Sequence, residues 1–157
     1  MSGMSTTHTP TFKGYNLLTA AKSVISKYAV FSGRATRSEY WYWVLGQTAV
    51  LLLLDIAFTV FIILLSVCNN SQHMSSTETF TCCLAVSVPL VLWSLFTLVP
   101  SLAVTCRRLH DTNKSGTLLL LCLVPLIGSI LLLIYCCEDS QRGTNQYGPS
   151  EKYPDTP

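Results

Sequence analysis

Charge is scarce in this chain of 157 residues. Only 11% of them are charged, whereas a soluble domain averages about 25%. No lysine or arginine occurs between Arg37 and Arg107. The net charge is only +2, and zinc-finger and RNA-binding motifs are missing. We therefore expect no nucleic-acid partner, and we expect at most one domain.

Motifs for metal binding are also missing. Neither Cys-x-x-Cys nor His-x-x-His spacing occurs, and His8, His73 and His110 are far apart. The sequence therefore predicts no metal site and no cofactor. The N-terminal region lacks the apolar core and cleavage site of a signal peptide. We expect the first membrane helix to act as its own insertion signal.

The seven cysteines permit two interpretations. On a periplasmic face, Cys68 and either Cys82 or Cys83 would close a disulfide across a loop. Alternatively, all seven are small residues compatible with a membrane, and we favour this interpretation.

What the chain does contain is three long apolar stretches, at residues 44–67, 84–106 and 117–137. Crossing a bilayer takes about 20 mostly apolar residues at a rise of about 1.5 Å each. The second and third stretches carry no charge, and the first carries only Asp55. The sequence thus predicts an all-α membrane protein with three transmembrane helices. Its predicted parts are a disordered segment at 1–13, one membrane domain at 14–137 and a polar tail at 138–157.

A further helix is predicted before the first span. Apolar residues recur at helical spacing from Leu17 to Tyr28, while Lys22 and Lys27 fall on the opposite side. Such a helix suits the surface of an anionic membrane. The alternative is an ordinary helix packed on the cytoplasmic end of the bundle.

The basic residues predict the topology. Eight of the ten lie before the first stretch or between the second and third. By the positive-inside rule, the N-terminus and the loop at 107–116 are cytoplasmic and the loop at 69–81 lies outside. A third crossing then places the C-terminal tail outside as well, which in a bacterium is the periplasm. The aromatic run from Tyr40 to Trp43 is typical of the headgroup level, and Thr36 has the spacing of a helix cap with Glu39.

Polar residues also occur inside the predicted spans. At about 100° per residue, Thr48, Asp55, Thr59 and Ser66 share one face of the first helix. Such a stripe should face protein or water, so Asp55 is the best candidate for a function inside the membrane. Alternatively, it is protonated or bonded to a hydroxyl of another helix. Because no other span carries a cation, a charge relay within one subunit is disfavoured, and an oligomeric ion or small-solute transporter remains the alternative function.

Small residues and helix breakers affect the other two spans. Ser87, Ser94 and Ser101 are seven residues apart, a spacing that favours close helix packing. Pro125 and Gly128 predict a kink in the third helix.

Two charged motifs border the first two spans. They contribute Arg34, Arg37, Glu39, Arg107, Arg108, His110 and Asp111. These residues can meet at the cytoplasmic face, where they either satisfy one another as an ion network or bind a phosphate or anionic lipid headgroup. In the second setting His110 would titrate near neutral pH. An enzyme using His110 and Asp111 ranks last, because no nucleophile or metal partner accompanies them.

Several blocks together resemble a known family. They are Phe31-Ser-Gly-Arg34, Arg37-Ser-Glu-Tyr-Trp41, Arg107-Arg-Leu-His-Asp111, Ser115-Gly116, Pro125, Gly128 and Gly143-Thr-Asn-Gln-Tyr-Gly148-Pro149. Their order is similar to that of the bacterial membrane family catalogued as domain of unknown function 805, from about residue 15 to residue 149. The resemblance implies a small bacterial inner-membrane protein without an established activity, so no catalytic residue is carried over. Thr117-Leu118 stands where an aromatic pair often follows, and the outer loop and termini are longer and richer in cysteine.

The resemblance also poses a question about the tail. Asn145 and Tyr147 belong to the family pattern, yet three crossings would separate them from the charged motifs. Either they have a separate role or the third stretch does not cross fully. We expect a non-enzymatic scaffold or accessory protein whose partners are the lipid bilayer, anionic lipid, and a second copy or another membrane protein.

Overall fold

A computed structural model describes residues 14–72 and 75–153, with side chains for all of them except 68–72. The predicted disorder at 1–13 and the proposed disulfide of Cys68 lie outside this description, as do His8 and His73. The helices are α1 (Leu17–Ser26), α2 (Arg37–Gln72), α3 (Ser76–Asp111), a 3-10 helix (Gly116–Leu123) and α4 (Ile127–Cys137). The all-α prediction matches this order of elements.

Helices α2 and α3 are the long apolar elements. Each has 36 residues, or about 54 Å at about 1.5 Å per residue, which exceeds the roughly 30 Å of a bilayer core. Their most apolar windows are 0% and 6% buried. The core helices of a soluble protein would be buried, so the exposure of both windows fits the predicted membrane protein.

Capping defines where these two helices begin. At the start of α2, the Thr36 hydroxyl accepts a hydrogen bond from the Glu39 amide at 3.3 Å, which confirms the predicted cap. Ser75 caps α3 in the same way, and the Glu78 side chain accepts a bond from the Ser75 amide. The two helices run antiparallel, so that the start of α2 lies beside the end of α3.

Helix α1 packs across α2 and α3 near that end. Ala20 and Val24 are fully buried there, and Val24 shares a small core with Trp43 and Val104. Leu18, in contrast, is 81% exposed. The helix therefore packs on the bundle through one side and leaves an apolar side chain free to enter lipid on the other.

The third apolar stretch differs from the prediction. It forms the 3-10 helix, turns at residues 124–126 with Leu126 at a φ of 65°, and returns as α4. With 11 residues, α4 is about 16 Å long, roughly half a bilayer core. Pro125 cannot donate a backbone hydrogen bond, and a Cβ on Gly128 would lie 1.7 Å from the carbonyl oxygen of Leu121. The predicted kink is therefore a full reversal, with α4 packed against the 3-10 helix.

Both ends of the third apolar stretch lie beside the C-terminal end of α3. Gly116 packs against Cys106 and His110 near the end of α3. At the other end, the carbonyl of Cys136 accepts a hydrogen bond from Arg108 at 3.2 Å. The structure thus has two helices long enough to span a membrane among its described residues, and the predicted third span is a helical hairpin that returns to its starting end.

Candidate functional site

A buried ion network lies where α2 begins and α3 ends. The Asp111 carboxylate accepts a hydrogen bond from Arg34 Nε at 2.8 Å, and its second oxygen pairs with Arg108. The side chains of all three residues are at most 2% exposed. Charge-assisted bonds of this kind are strong when water is excluded, and they connect the segment before α2 to the end of α3.

A second buried ion pair connects three helices. Arg107 Nη1 donates to Glu39 Oε1 at 3.2 Å, and the Ser23 hydroxyl of α1 donates to the same oxygen at 2.9 Å. Arg107 and Glu39 are 1% and 0% exposed. Within the described residues, the other Glu39 oxygen and two Arg107 nitrogens, Nε and Nη2, have no hydrogen-bond partner.

The C-terminal tail closes over this network. Arg34 donates through Nη1 to the carbonyls of Gly143 at 2.8 Å and Gly148 at 3.2 Å. Arg108 donates to the carbonyl of Glu138, and the amide of Gln141 donates to the carbonyl of Asp111 at 3.0 Å. The tail and the charged cluster therefore lie at the same end of the bundle. Of the two alternatives that the sequence left open for the tail, this contact favours a third stretch that does not cross fully.

His110 lies at the centre of this contact. Its ring stacks on the Tyr147 ring, with 3.7 Å between centroids and an interplanar angle of 5°. Its Nδ1 is 3.2 Å from the carbonyl oxygen of Gly33 and so donates to it. Asn145 Nδ2 donates to the backbone carbonyl of His110 at 2.9 Å. The structure therefore joins Asn145 and Tyr147 to the cluster, a contact that three full crossings would not allow.

Arg37 stands apart from the buried network. Its guanidinium is 3.7 Å from the Asp139 carboxylate, and the two side chains are 47% and 50% exposed. Asp139 also accepts a hydrogen bond from Lys152 Nζ at 2.5 Å, and this contact lowers the pKa of Asp139 to about 2. The same bond raises the pKa of Lys152. Arg37 thus lies on the exposed rim of the cluster.

An open groove begins at Arg37 and extends along the outer side of α2. Its volume is about 520 Å³. Below the polar mouth, formed by Arg37 and Ser38, its walls are almost entirely apolar. They are built by Trp41, Tyr42, Val44, Leu45 and Thr48.

A polar contact that the sequence analysis missed joins α2 to α3. The Gln47 carbonyl accepts a bond from Ser101 at 2.7 Å, and its amide nitrogen donates to Thr97 at 3.2 Å. Of the three serines expected to pack, only Ser101 makes this contact, because Ser87 and Ser94 bond to carbonyls of their own helix. The missed signal was an amide side chain inside an apolar stretch.

The intramembrane stripe of α2 faces away from α3. Thr48, Asp55, Thr59 and Ser66 are all exposed. In the part of the chain that the structure describes, Asp55 makes no side-chain hydrogen bond or ion pair.

Neither metals nor disulfides are indicated at the site. The described residues contain no group of three His, Cys, Asp or Glu side chains placed to hold a metal ion. Six cysteines are free thiols, namely Cys82, Cys83, Cys106, Cys122, Cys136 and Cys137.

Fold and site together define a helical membrane protein whose long helices and C-terminal tail are tied at one end by a buried ion network. Comparison with known proteins gives the particular family. The chain matches the family described as "Protein of unknown function (DUF805)" over residues 28–149, and it belongs to that family. The resemblance stated from the motifs is thereby confirmed.

Two relatives from Escherichia coli (strain K12) are similar over most of the chain. Inner membrane protein YhaI is 33% identical over 133 residues, which cover 83% of this chain and 93% of the relative. Inner membrane protein YhaH is 33% identical over 129 residues, which cover 82% and 93%. No solved structure matches the chain.

Proposed function

We propose that this chain is a non-enzymatic protein of the bacterial inner membrane that binds an anionic phospholipid at Arg37, on the cytoplasmic face. The names of YhaI and YhaH support the location. Helices α2 and α3 cross the bilayer, and the hairpin of the 3-10 helix and α4 enters it from the cytoplasmic side and returns. Both termini are then cytoplasmic.

The distribution of charge supports this orientation. All nine basic residues in the described part of the chain lie at the end that carries the network, together with five carboxylates. At the opposite end, the described residues contain no lysine or arginine, and Glu78 is acidic. With the tail on the cluster side, the positive-inside rule is satisfied more fully than it was by three crossings.

The buried arginines do not suit a headgroup. Arg34 and Arg108 direct their donors to carbonyls of the tail and to Asp111, and Arg107 is paired with Glu39. A phosphate could reach them only after the tail had left. Of the two interpretations of the cluster, the structure favours the internal ion network, which stabilises the cytoplasmic end of the bundle.

The proposal rests on the exposure of Arg37. An exposed ion pair such as that with Asp139 contributes little, about 0–1 kcal/mol, so a phosphate can replace the carboxylate at low cost. The guanidinium matches phosphate oxygens, and the apolar groove below it fits an acyl chain. Trp41 and Tyr42, which line the groove, belong to the residue types that collect at the headgroup level. One phospholipid therefore satisfies both the charge and the apolar walls.

The test uses Trp41 as the probe. Trp43→Phe and Trp93→Phe leave Trp41 as the single tryptophan, because the chain has three. The purified protein is reconstituted in vesicles containing either brominated phosphatidylglycerol or brominated phosphatidylcholine at equal fractions. We expect phosphatidylglycerol to quench Trp41 several-fold more strongly, and Arg37→Gln to abolish this difference.

Arg142→Gln is the matched control, since it removes the same charge from an exposed site in the tail outside the groove. It should leave the preference intact. Equal quenching by the two lipids in the parent protein would refute the proposal. An equal loss of preference in both variants would also refute it, because general attraction to the charged end would then explain the result.

A further inference from the structure

Asp55 is an exposed carboxyl group at the middle of a spanning helix. It lies 11 residues from Val44 and 12 from Val67, the ends of the apolar part of α2, so each end is about 17 Å away along the axis. An ionised carboxylate is unfavourable at that depth unless it is protonated, paired or hydrogen-bonded. Lipid tails supply no hydrogen bond, and the folded monomer supplies none to Asp55 in its described part.

The stripe is unpartnered because α3 packs elsewhere on α2. The contact with α3 uses Trp43 and Gln47, which bond to Ser101. At about 100° per residue, these two positions lie roughly 80–120° around the helix from Asp55. Thr59 and Ser66 lie within about 40° of Asp55 on the side that α3 leaves open.

We propose that this stripe, formed by Thr48, Asp55, Thr59 and Ser66, is the interface between two copies of the chain. All copies insert with the same orientation, so a two-fold axis along the membrane normal places residues of equal depth opposite each other. Asp55 of one copy then faces Asp55 of the second copy, and Thr59 faces Thr59.

The polar groups of the stripe can form hydrogen bonds with the same groups in a second copy. A protonated carboxyl group and a hydroxyl group each carry a donor and an acceptor, so like groups can pair across the axis. A cation would be the other natural partner for Asp55, but the sequence places none in the apolar parts of α2 and α3. A second copy is therefore the occupant that offers polar groups at the required depths.

The lipid groove is compatible with this interface. Parallel helices that pack at about 20° diverge on both sides of their crossing point. With the crossing near Thr59, the two α2 helices are roughly 6 Å further apart at Arg37, some 33 Å along the axis. The groove from Arg37 to Thr48 then opens towards the gap between the copies.

Cross-linking tests the geometry. The seven cysteines are replaced by alanine, and single cysteines are introduced by Thr59→Cys, Ser66→Cys or, as the matched control, Ala57→Cys. Ala57 is also exposed, but it lies about 160° from Thr59 around α2. In dilute proteoliposomes under mild oxidation, we expect disulfide-linked dimers from positions 59 and 66 and few from position 57. Equal cross-linking at all three positions, or none at any of them, would overturn the proposal.

Substitution of Asp55 tests the chemistry. Loss of the interhelical hydrogen bonds in Asp55→Leu should weaken dimerisation roughly tenfold, measured by energy transfer between labelled copies as the protein is diluted in lipid. Asp55→Asn keeps a donor and an acceptor and should retain the dimer. Leucine favours insertion, so failure to insert would not explain a loss. A dimer of unchanged affinity in Asp55→Leu would show that the stripe is not the interface.

Discussion

Replacement of Asp111 by asparagine should release the C-terminal tail. The Asp111 carboxylate neutralises both Arg34 and Arg108, and all three side chains are almost fully buried. Asparagine has nearly the same shape but no charge, so two guanidinium groups would remain buried without their shared counterion. Removal of one partner from a buried ion pair costs about 3–5 kcal/mol.

Most of this cost should fall on the attachment of the tail. Arg34 and Arg108 are the residues that donate to the tail carbonyls of Gly143, Gly148 and Glu138. They can regain water only if the tail leaves. We therefore expect the ratio of the open to the closed population of the tail to increase by roughly two to three and a half orders of magnitude.

Trypsin cleavage after Arg142 measures that equilibrium, because its rate follows the open population when opening and closing are fast. Asp139→Asn is the matched control: it makes the same chemical change in the tail, but on a carboxylate that is 50% exposed. Exposed pairs contribute about 0–1 kcal/mol, so the control should change the rate by about fivefold at most. Similar cleavage rates in Asp111→Asn and Asp139→Asn would refute the assignment of the network as the clamp of the tail.

Two further predictions concern the hairpin and the rim. Gly128→Ala should destabilise the protein by about 3 kcal/mol in denaturant titrations, because the new Cβ would meet the carbonyl oxygen of Leu121 at 1.7 Å. Gly46→Ala is its control, since its nearest contact would be an ordinary 3.4 Å, and a stability equal to that of Gly128→Ala would contradict the close approach. On the rim, the bond from Lys152 lowers the pKa of Asp139 from 3.8 to about 2. The contribution of this ion pair to the stability of the fold is therefore complete above about pH 4 and is lost as the pH falls to about 2. An NMR titration of the Asp139 carboxyl group should show this midpoint, and Lys152→Gln should return it towards 3.8.

The sequence predicted the features that depend on local pattern. Length and apolarity define α2 and α3, and the spacing of Thr36 and Glu39 predicted the cap. The cluster was also predictable, because its two motifs border the same ends of consecutive spans. The third stretch was not, since hydropathy reports how apolar a segment is and not where it reverses. Pro125 and Gly128 could be interpreted as a kink or as a turn, and only the close approach at Gly128 separates the two.

The tail belongs to the site because the buried arginines need hydrogen-bond acceptors. A guanidinium carries more N–H donors than one carboxylate can accept. Among the described residues, Arg34, Arg107 and Arg108 share two buried carboxylates, those of Glu39 and Asp111. Pairing of the remaining donors therefore needs further oxygen atoms. For Arg34 and Arg108 the backbone carbonyls of the tail supply them, whereas two nitrogens of Arg107 have no partner among the described residues. Counted from the sequence alone, this excess of donors over carboxylates would have indicated a missing partner, and the Gly143–Pro149 block was the unplaced element that resembled the same family. The donors of Arg34 and Arg108, and not the number of apolar stretches, tie the tail to the end of the bundle that carries the cluster.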